Sequence, residues 1–320
     1  MSRLALVGDI GGTNARFALA DLDAAPPRLG EPVGLKVADF PRATDAIAAF
    51  LAAQDLTRPP RVAVIAVAGP VRNGTIDFTN SDWLLSEADL LALGCGRARL
   101  INDYGALALA APLLCSDDLR VVGPEVRGET HGTIAVMGPG TGFGVSALVR
   151  DGHAEAVLST EGGHVGFAPT DEVEAELLHR LAARHGRVSI ERILSGAGLD
   201  ELHECLQAIE GRPAESTPSA RITAAALAGD PAALRTVDRF CAIFGSVAGD
   251  LALAYGATGG VLVAGGIAPR IVGLLQASAF RSRFEAKGRF RDYLAAIPSR
   301  VIMRPYAALL GAARAAAMLC

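Results

Sequence analysis

The chain has 320 residues, 51% of them hydrophobic, and a net charge of −4 with the two signs interspersed, which leaves no basic footprint for nucleic acid. No apolar stretch reaches 18 residues without a charge or a breaker, which excludes a membrane-spanning helix, and Asp9 interrupts the first apolar run too early for a signal peptide. The length predicts two domains, and five scattered cysteines with no C-x-x-C pair read as reduced packing residues of a cytoplasmic protein.

The strand Leu4-Ala5-Leu6-Val7 runs into Gly8-Asp9-Ile10-Gly11-Gly12-Thr13-Asn14 and leaves through Phe17-Ala18-Leu19. That order predicts a β-hairpin closed by a tight Gly-Thr turn. A helix is expected at 42–51, a buried strand at 62–68 and a helix starting near Ser81. The segment Thr79-Asn80-Ser81-Asp82-Trp83 sets polar side chains beside the only tryptophan. A short strand at 98–101 delivers Asn102-Asp103 onto a small-residue helix at 105–111, ended by Pro112. Residues 115–133 read as irregular and polar, and the crossing between domains belongs there. The hairpin then recurs: Ile134-Ala135-Val136-Met137 enters Gly138-Pro139-Gly140-Thr141-Gly142 and leaves through Val145-Ser146-Ala147-Leu148. An acidic helix is expected at 172–184, a short helix at 189–194, a Pro/Ser-rich surface loop at 211–219 and a long helix within 231–255. A strand at 260–264 leads into Gly265-Gly266-Ile267, and a small-residue helix at 307–319 serves packing.

One such turn is an ordinary hairpin as often as not; two in corresponding positions point to a nucleotide. Glycine admits φ > 0 and lets a phosphate approach the peptide N–H groups. A P-loop needs a Gly-Lys pair, which is absent, and the chain has two lysines against 28 arginines. Both turns exit into strands, against a Rossmann site. The phosphates must then be held by backbone amides, Thr hydroxyls and a bound cation. One hairpin-plus-βα unit in each half predicts an α/β, two-domain ribonuclease H-like (actin-type ATPase) fold. Residues 1–112 plus 304–320 form the small domain and 113–303 the large one, with the active site in the inter-domain cleft.

The remaining polar constellation is Asn102-Asp103 at a strand end, Glu161-Gly162-Gly163-His164-Val165-Gly166-Phe167, and Glu191 within Ser189-Ile190-Glu191-Arg192-Ile193-Leu194-Ser195-Gly196. Together with 7–16, Ile101-Asn102-Asp103-Tyr104, 138–144 and Ala264-Gly265-Gly266-Ile267, these segments resemble the bacterial glucokinase family, in order along essentially the whole chain. The resemblance implies a homodimeric ATP:D-glucose 6-phosphotransferase acting early in glycolysis. Asp103 resembles the catalytic base that takes the proton of the sugar 6-hydroxyl; a carboxylate at a helix start is otherwise an N-cap. Asp9 resembles the residue that holds Mg²⁺ through water, its alternative being a turn aspartate bonding its own backbone. Gly8, Asp9, Ile10, Gly11, Gly12, Thr13 and Asn14 would cradle one part of ATP/ADP, and Gly138, Gly140, Thr141 and Gly142 another. Gly265 and Gly266 resemble the segment over which adenine and ribose lie, though Gly-Gly is common in plain turns.

Asn102, Asp103, Glu161, His164 and Glu191 resemble the glucose ligands, since carboxylates and amides suit adjacent hydroxyls that donate and accept. His164 also reads as a metal ligand or a core histidine, and Glu191 as a solvated helix face. The other histidines, 131, 153, 179, 185 and 203, have no zinc-ligand spacing. The clustered Cys/His zinc motif of the ROK sugar kinases is missing, and Pro139 and Phe143 depart mildly from the glucokinase pattern. Alternatives are a kinase for another hexose, fructose or mannose, or a catalytically inert sugar sensor of the same fold; Asp103 and the paired turns argue against inertness.

Overall fold

Residues 4–21 fold back on themselves because an apolar run is broken once, by glycines. β1 (Leu4–Ile10) and β2 (Asn14–Asp21) pair antiparallel, with Gly8 opposite Phe17 and Asp9 opposite Arg16. The structure, a computed structural model, describes residues 3–78, 81–152, 154–213 and 216–320. The chain divides into one unit of Met1–Cys115 with Arg304–Cys320 and a second of Ser116–Met303.

In the first unit, β3 (Arg28–Leu29) and β4 (Val33–Lys36) both pair with β2. After α1 (Ala43–Ala52), the wholly buried β5 (Val62–Val67) runs parallel to β1. A run of Val, Ile and Ala buried on both faces is what a central parallel strand requires. The helix expected from Ser81 does not form there. β6 (Thr75–Asp77) pairs with β7 (Leu84–Ser86), and α2 (Glu87–Ala92) begins only after Ser86. Ser86 and Asp89 cap that helix reciprocally, a stronger start signal than Ser81 offers. β8 (Arg97–Asn102) then runs parallel to β5 and leads into α3 (Asp103–Ala110). The sheet order is β3-β2-β1-β5-β8.

The second unit opens with β9 (Leu119–Val121), a strand inside the stretch expected to be irregular. β10 (Ile134–Pro139), β11 (Phe143–Asp151) and β12 (Ala154–Thr160) form an antiparallel meander. Four helices follow: α4 (Glu172–His185), α5 (Gly196–Ile209), α6 (Ser219–Leu227) and α7 (Pro231–Tyr255). β13 (Gly260–Val263) pairs parallel with β10. After α8 (Val272–Ala277), α9 (Phe280–Glu285) and α10 (Arg291–Ala295), β14 (Ser299–Ile302) pairs parallel with β13 and antiparallel with β9. The sheet order is β12-β11-β10-β13-β14-β9, so β10 and β11 occupy the positions that β1 and β2 hold in the first sheet. The duplicated unit expected from the two Gly-Thr turns is present.

The short helix expected at 189–194 is absent. The amides of Ile190 and Glu191 donate to the carbonyls of Val165 and Gly163 at 3.0 and 2.9 Å, which ties the segment to the 3-10 turn at Gly162–His164 and the residue after it instead. Helix starts at Gly196, where Ser195 accepts the Gly198 amide at 3.0 Å. The chain ends in α11 (Ala307–Met318), which belongs to the first unit and packs on α3, where a Cβ on Gly311 would overlap the Ala106 carbonyl. Each unit has its own core: Phe17, Ile47, Phe50, Ile65 and Trp83 in the first, and Phe143, Phe240, Phe244, Phe280 and Phe284 in the second.

Candidate functional site

Each hairpin is closed by three residues, Gly11-Gly12-Thr13 and Gly140-Thr141-Gly142, between the ends of the strands. The amide of Gly11 donates to the Asn14 carbonyl at 3.0 Å and that of Gly140 to the Gly142 carbonyl at 2.8 Å. Those two amides are therefore committed within the turns. Gly8, Gly11, Gly138, Gly140 and Gly142 all lack the positive φ expected of such turns. Space is what these glycines supply. A Cβ on Gly8 would meet Ile65 at 2.7 Å and Phe17 at 2.9 Å, and one on Gly138 would overlap the Ala264 backbone. Gly11 and Gly140 instead face open volume, with no atom nearer than 3.8 Å to an added Cβ. Ile10 is buried at the end of β1. Asn14 and Lys36 pair across β2 and β4, and the Thr13 carbonyl accepts the Val37 amide at 3.0 Å. Pro139 closes β10 outside the turn, and its carbonyl accepts the Ile267 amide at 3.3 Å.

Gly265 and Gly266 follow β13 after Ala264, Gly265 at φ +85°, and the nearest atom to a Cβ on Gly140 is the Gly266 nitrogen. The amide of Gly196, at the start of α5, donates to the Gly140 carbonyl at 2.9 Å. The second turn, the Gly-Gly segment and the α5 start thus form one patch.

Asp9 is partly buried, its side chain 21% exposed, and Arg16 stands 3.6 Å away across the hairpin. Burial pushes the Asp9 carboxyl above the usual range, and Arg16 pulls the other way. Mg²⁺ keeps most of its water and takes one or two carboxylates rather than a closed cage. A single partly buried aspartate two residues before an open turn fits that demand. Among the described residues no group of three or more His, Cys, Asp or Glu is arranged to hold a metal.

Asn102 is the N-cap of α3: its Oδ1 accepts the Gly105 amide at 3.0 Å and its Nδ2 donates to the Gly69 carbonyl at 3.4 Å. Asp103 is the first helical residue, and its Oδ1 accepts the Tyr104 amide at 2.9 Å.

Glu161 and His164, three residues apart, converge with the distant Glu191 in the second unit. His164 has Nε2 at 4.0 Å from Glu161 and Nδ1 at 4.0 Å from Glu191, and all three side chains reach solvent. A metal-ligand or core role for His164 has no support here. The convergence has a local cause. Gly163 lies against the Phe143 carbonyl, where any Cβ would overlap it, and the Glu191 amide binds the Gly163 carbonyl. The Arg187 guanidinium donates to the His164 carbonyl at 2.8 Å. Thr160 Oγ1 contacts the Tyr255 hydroxyl at 3.2 Å and accepts the Gly162 amide at 3.2 Å.

A glucokinase family model matches residues 6–319. A glucokinase of Caulobacter sp. (strain K31) is 56% identical over 312 residues, covering 97% of this chain and 94% of that protein. The chain belongs to the glucokinase family. The solved glucokinase of an Antarctic psychrotroph superposes with a TM-score of 0.89 at 38% identity, covering 99% of each chain. A ROK-family glucokinase of Streptomyces griseus, solved with glucose and AMPPNP, reaches 0.66 at 20% identity over 98% of this chain and 99% of that one, a likeness of fold.

In this glucokinase-family chain, sequence reasoning did not pair Arg16 with Asp9, although its register opposite Asp9 follows from the hairpin itself. It missed the Phe143 amide, Thr160, Arg187 and Tyr255, whose contacts are tertiary and leave no local signal. Thr79, Asn80 and His153 lie outside the described residues. Trp83 is core, its indole N–H donating to the Phe40 carbonyl at 3.0 Å. A cavity of about 570 Å³ in the first unit is lined by none of the candidate residues. Two of its basic residues already have partners, Arg3 the carboxylate of Asp23 and Arg97 the carbonyl of Leu319. Among the described residues no helix is long and apolar enough to cross a membrane.

Proposed function

We propose that this chain performs its family's reaction, transfer of the ATP γ-phosphoryl group to the 6-hydroxyl of D-glucose, with Asp103 as the general base. Asn102, Asp103, Glu161, His164 and Glu191 bind the sugar. The carboxylate of Asp103 orients the 6-hydroxyl and takes its proton as the O6–phosphorus bond forms and ADP departs. Gly11, Gly12, Thr13 and Asn14 line one side of the phosphates, and Gly140, Thr141 and Gly142 the other. Gly265 and Gly266 lie under the nucleoside. Mg²⁺, held through water by Asp9, would neutralise phosphate charge. Gly8, Ile10 and Gly138 support the turns from within the strands, since their surroundings leave a ligand little room.

The observation that carries the reading is His164 midway between two carboxylates beside the second Gly-Thr turn. Two acceptors flanking an imidazole match neighbouring pyranose hydroxyls, each of which both donates and accepts. The reading extends to a cytoplasmic homodimer that admits glucose to glycolysis, for which light scattering is the test of assembly. For the reaction, purified protein is assayed for ADP release with glucose, fructose and mannose, and for glucose 6-phosphate formation by coupled dehydrogenase. Glucose is expected to be preferred; equal or better turnover of fructose would transfer the site to another hexose.

A further inference from the structure

The Glu191 carboxylate does not belong to the sugar cluster alone. Its Oε2 accepts the backbone N–H of Phe143 at 2.8 Å, and Phe143 is the residue that follows the Gly140-Thr141-Gly142 turn. Its Oε1 is the oxygen that faces His164 at 4.0 Å. The two oxygens of one carboxylate are thus divided between the second hairpin and the sugar cluster. The same residue is fixed from its other end: Gly163 lies against the Phe143 carbonyl, and the Gly163 carbonyl accepts the Glu191 amide. Gly142 leaves room for the carboxylate, since a Cβ there would overlap Oε2.

We propose that Glu191 is a positioning residue for the nucleotide turn as well as a sugar ligand, so that one carboxylate sets the geometry of both substrates. The inference rests on the sugar and phosphate assignments above and adds what they do not require, a dependence of nucleotide affinity on Glu191 with no sugar present. Charge-assisted hydrogen bonds to backbone N–H groups are short and strong, and this one anchors the exit of a turn whose own first amide is already used. Glu161 is paired with His164 rather than with the turn and serves as the control.

The test is calorimetric titration of the full-length protein with ADP and Mg²⁺ in the absence of sugar, and separately with glucose in the absence of nucleotide. Glu191→Ala should weaken ADP by roughly tenfold, the loss expected for a hydrogen bond to a charged group. Glu191→Gln, whose amide oxygen still accepts the Phe143 N–H, should stay within about threefold of wild type for ADP, and Glu161→Ala should match wild type. If Glu191→Ala binds ADP normally yet loses glucose, the inference is overturned and the sugar assignment stands. If it loses neither, both fall. Glu191→Gln as poor as Glu191→Ala for ADP would also overturn it, because an acceptor for the Phe143 N–H would then be present without holding the turn. Gly142→Ala tests the coupling without removing the carboxylate. By pushing Oε2 off the Phe143 amide it should raise the glucose Kd by roughly fivefold or more, although Gly142 is no sugar ligand, and add little to Glu191→Ala. Unchanged glucose affinity in Gly142→Ala overturns the proposal even if Glu191→Ala does not fold.

Discussion

Asn102 Oδ1 accepts the Gly105 amide at 3.0 Å, so the N-cap of α3 is the residue before Asp103, while Asp103 Oδ1 accepts the Tyr104 amide within the first turn at 2.9 Å. The N-cap position belongs to Asn102, and Asp103→Asn keeps an oxygen that can accept the Tyr104 amide while removing the base. Asp103→Asn should lower kcat by roughly 10²–10⁴, the range for a lost general base, with the melting temperature close to wild type. Asn102→Ala should instead cost about 1 kcal/mol of stability through the lost cap. Thermal melts and steady-state kinetics on the two variants separate the roles. An Asp103→Asn enzyme retaining half of the wild-type kcat would remove Asp103 as the base.

The glycines of the two hairpins divide by their surroundings, and substitutions should divide with them. Gly11→Ala and Gly140→Ala meet nothing nearer than 3.8 Å, so the fold should tolerate them while the KM for ATP rises. Gly138→Ala drives a Cβ into the Ala264 backbone and should destabilise the protein by roughly 1–3 kcal/mol, as overpacking does. Chemical denaturation beside ATP titrations decides it. A Gly11→Ala protein with normal KM for ATP would mean that the open volume at the first turn is not where phosphates sit.

Much of the architecture was legible because its signals are local. Leu4–Ile10 and Ile134–Pro139 announce strands by composition, and the Gly-Thr turns announce their hairpins. What escaped is tertiary. The 189–194 segment has helix-compatible residues, but the Gly163 and Val165 carbonyls claim its amides. β9 and β14 are short strands of three and four residues whose pairing partner lies far along the chain, so neither carries a pattern long enough to read. In the candidate site the residue types were readable and the adjacency was not. Nothing in sequence sets Glu191 on the Phe143 amide, 48 residues away.

Glu174 gives a stability prediction independent of the site. Its side chain is 1% exposed, accepts from Arg283 at 2.7 and 3.0 Å and from Arg239 at 3.1 Å, and is met by the Thr170 amide and hydroxyl at 2.9 and 2.8 Å. These bonds tie α4 to α7 and α9. Removing one partner of a buried ion pair leaves uncompensated charge and costs about 3–5 kcal/mol. Because both guanidiniums keep some exposure, the lower end applies to Glu174→Ala. Urea unfolding should report that loss with KM for both substrates unchanged at low temperature. A loss below about 1 kcal/mol would show the cluster behaving like a surface pair.

Cys241 makes stability depend on alkaline pH. It lies buried in α7, and burial pushes its thiol from 9.0 up to about 12, against a hydrogen bond with Ser278 that lowers it. An acid whose folded pKa is raised holds its proton more tightly in the folded state. Its contribution is therefore complete below pH 9.0 and is lost as pH rises toward about 12, because only the unfolded chain releases the proton in that window. The loss for one thiol is at most about 1.4 kcal/mol per pH unit. Buried Cys95 and Cys205 are raised in the same direction, so wild type alone does not isolate the effect. Cys241→Ala does: its melting temperature should start lower at pH 8, from the small cavity, and fall less steeply than wild type between pH 9 and 11. In the native protein at neutral pH, iodoacetamide should modify exposed Cys115 and Cys320 and spare Cys241. Parallel pH profiles for wild type and Cys241→Ala would mean that the thiol ionises as readily in the folded protein as in the unfolded chain, and the linkage would fail.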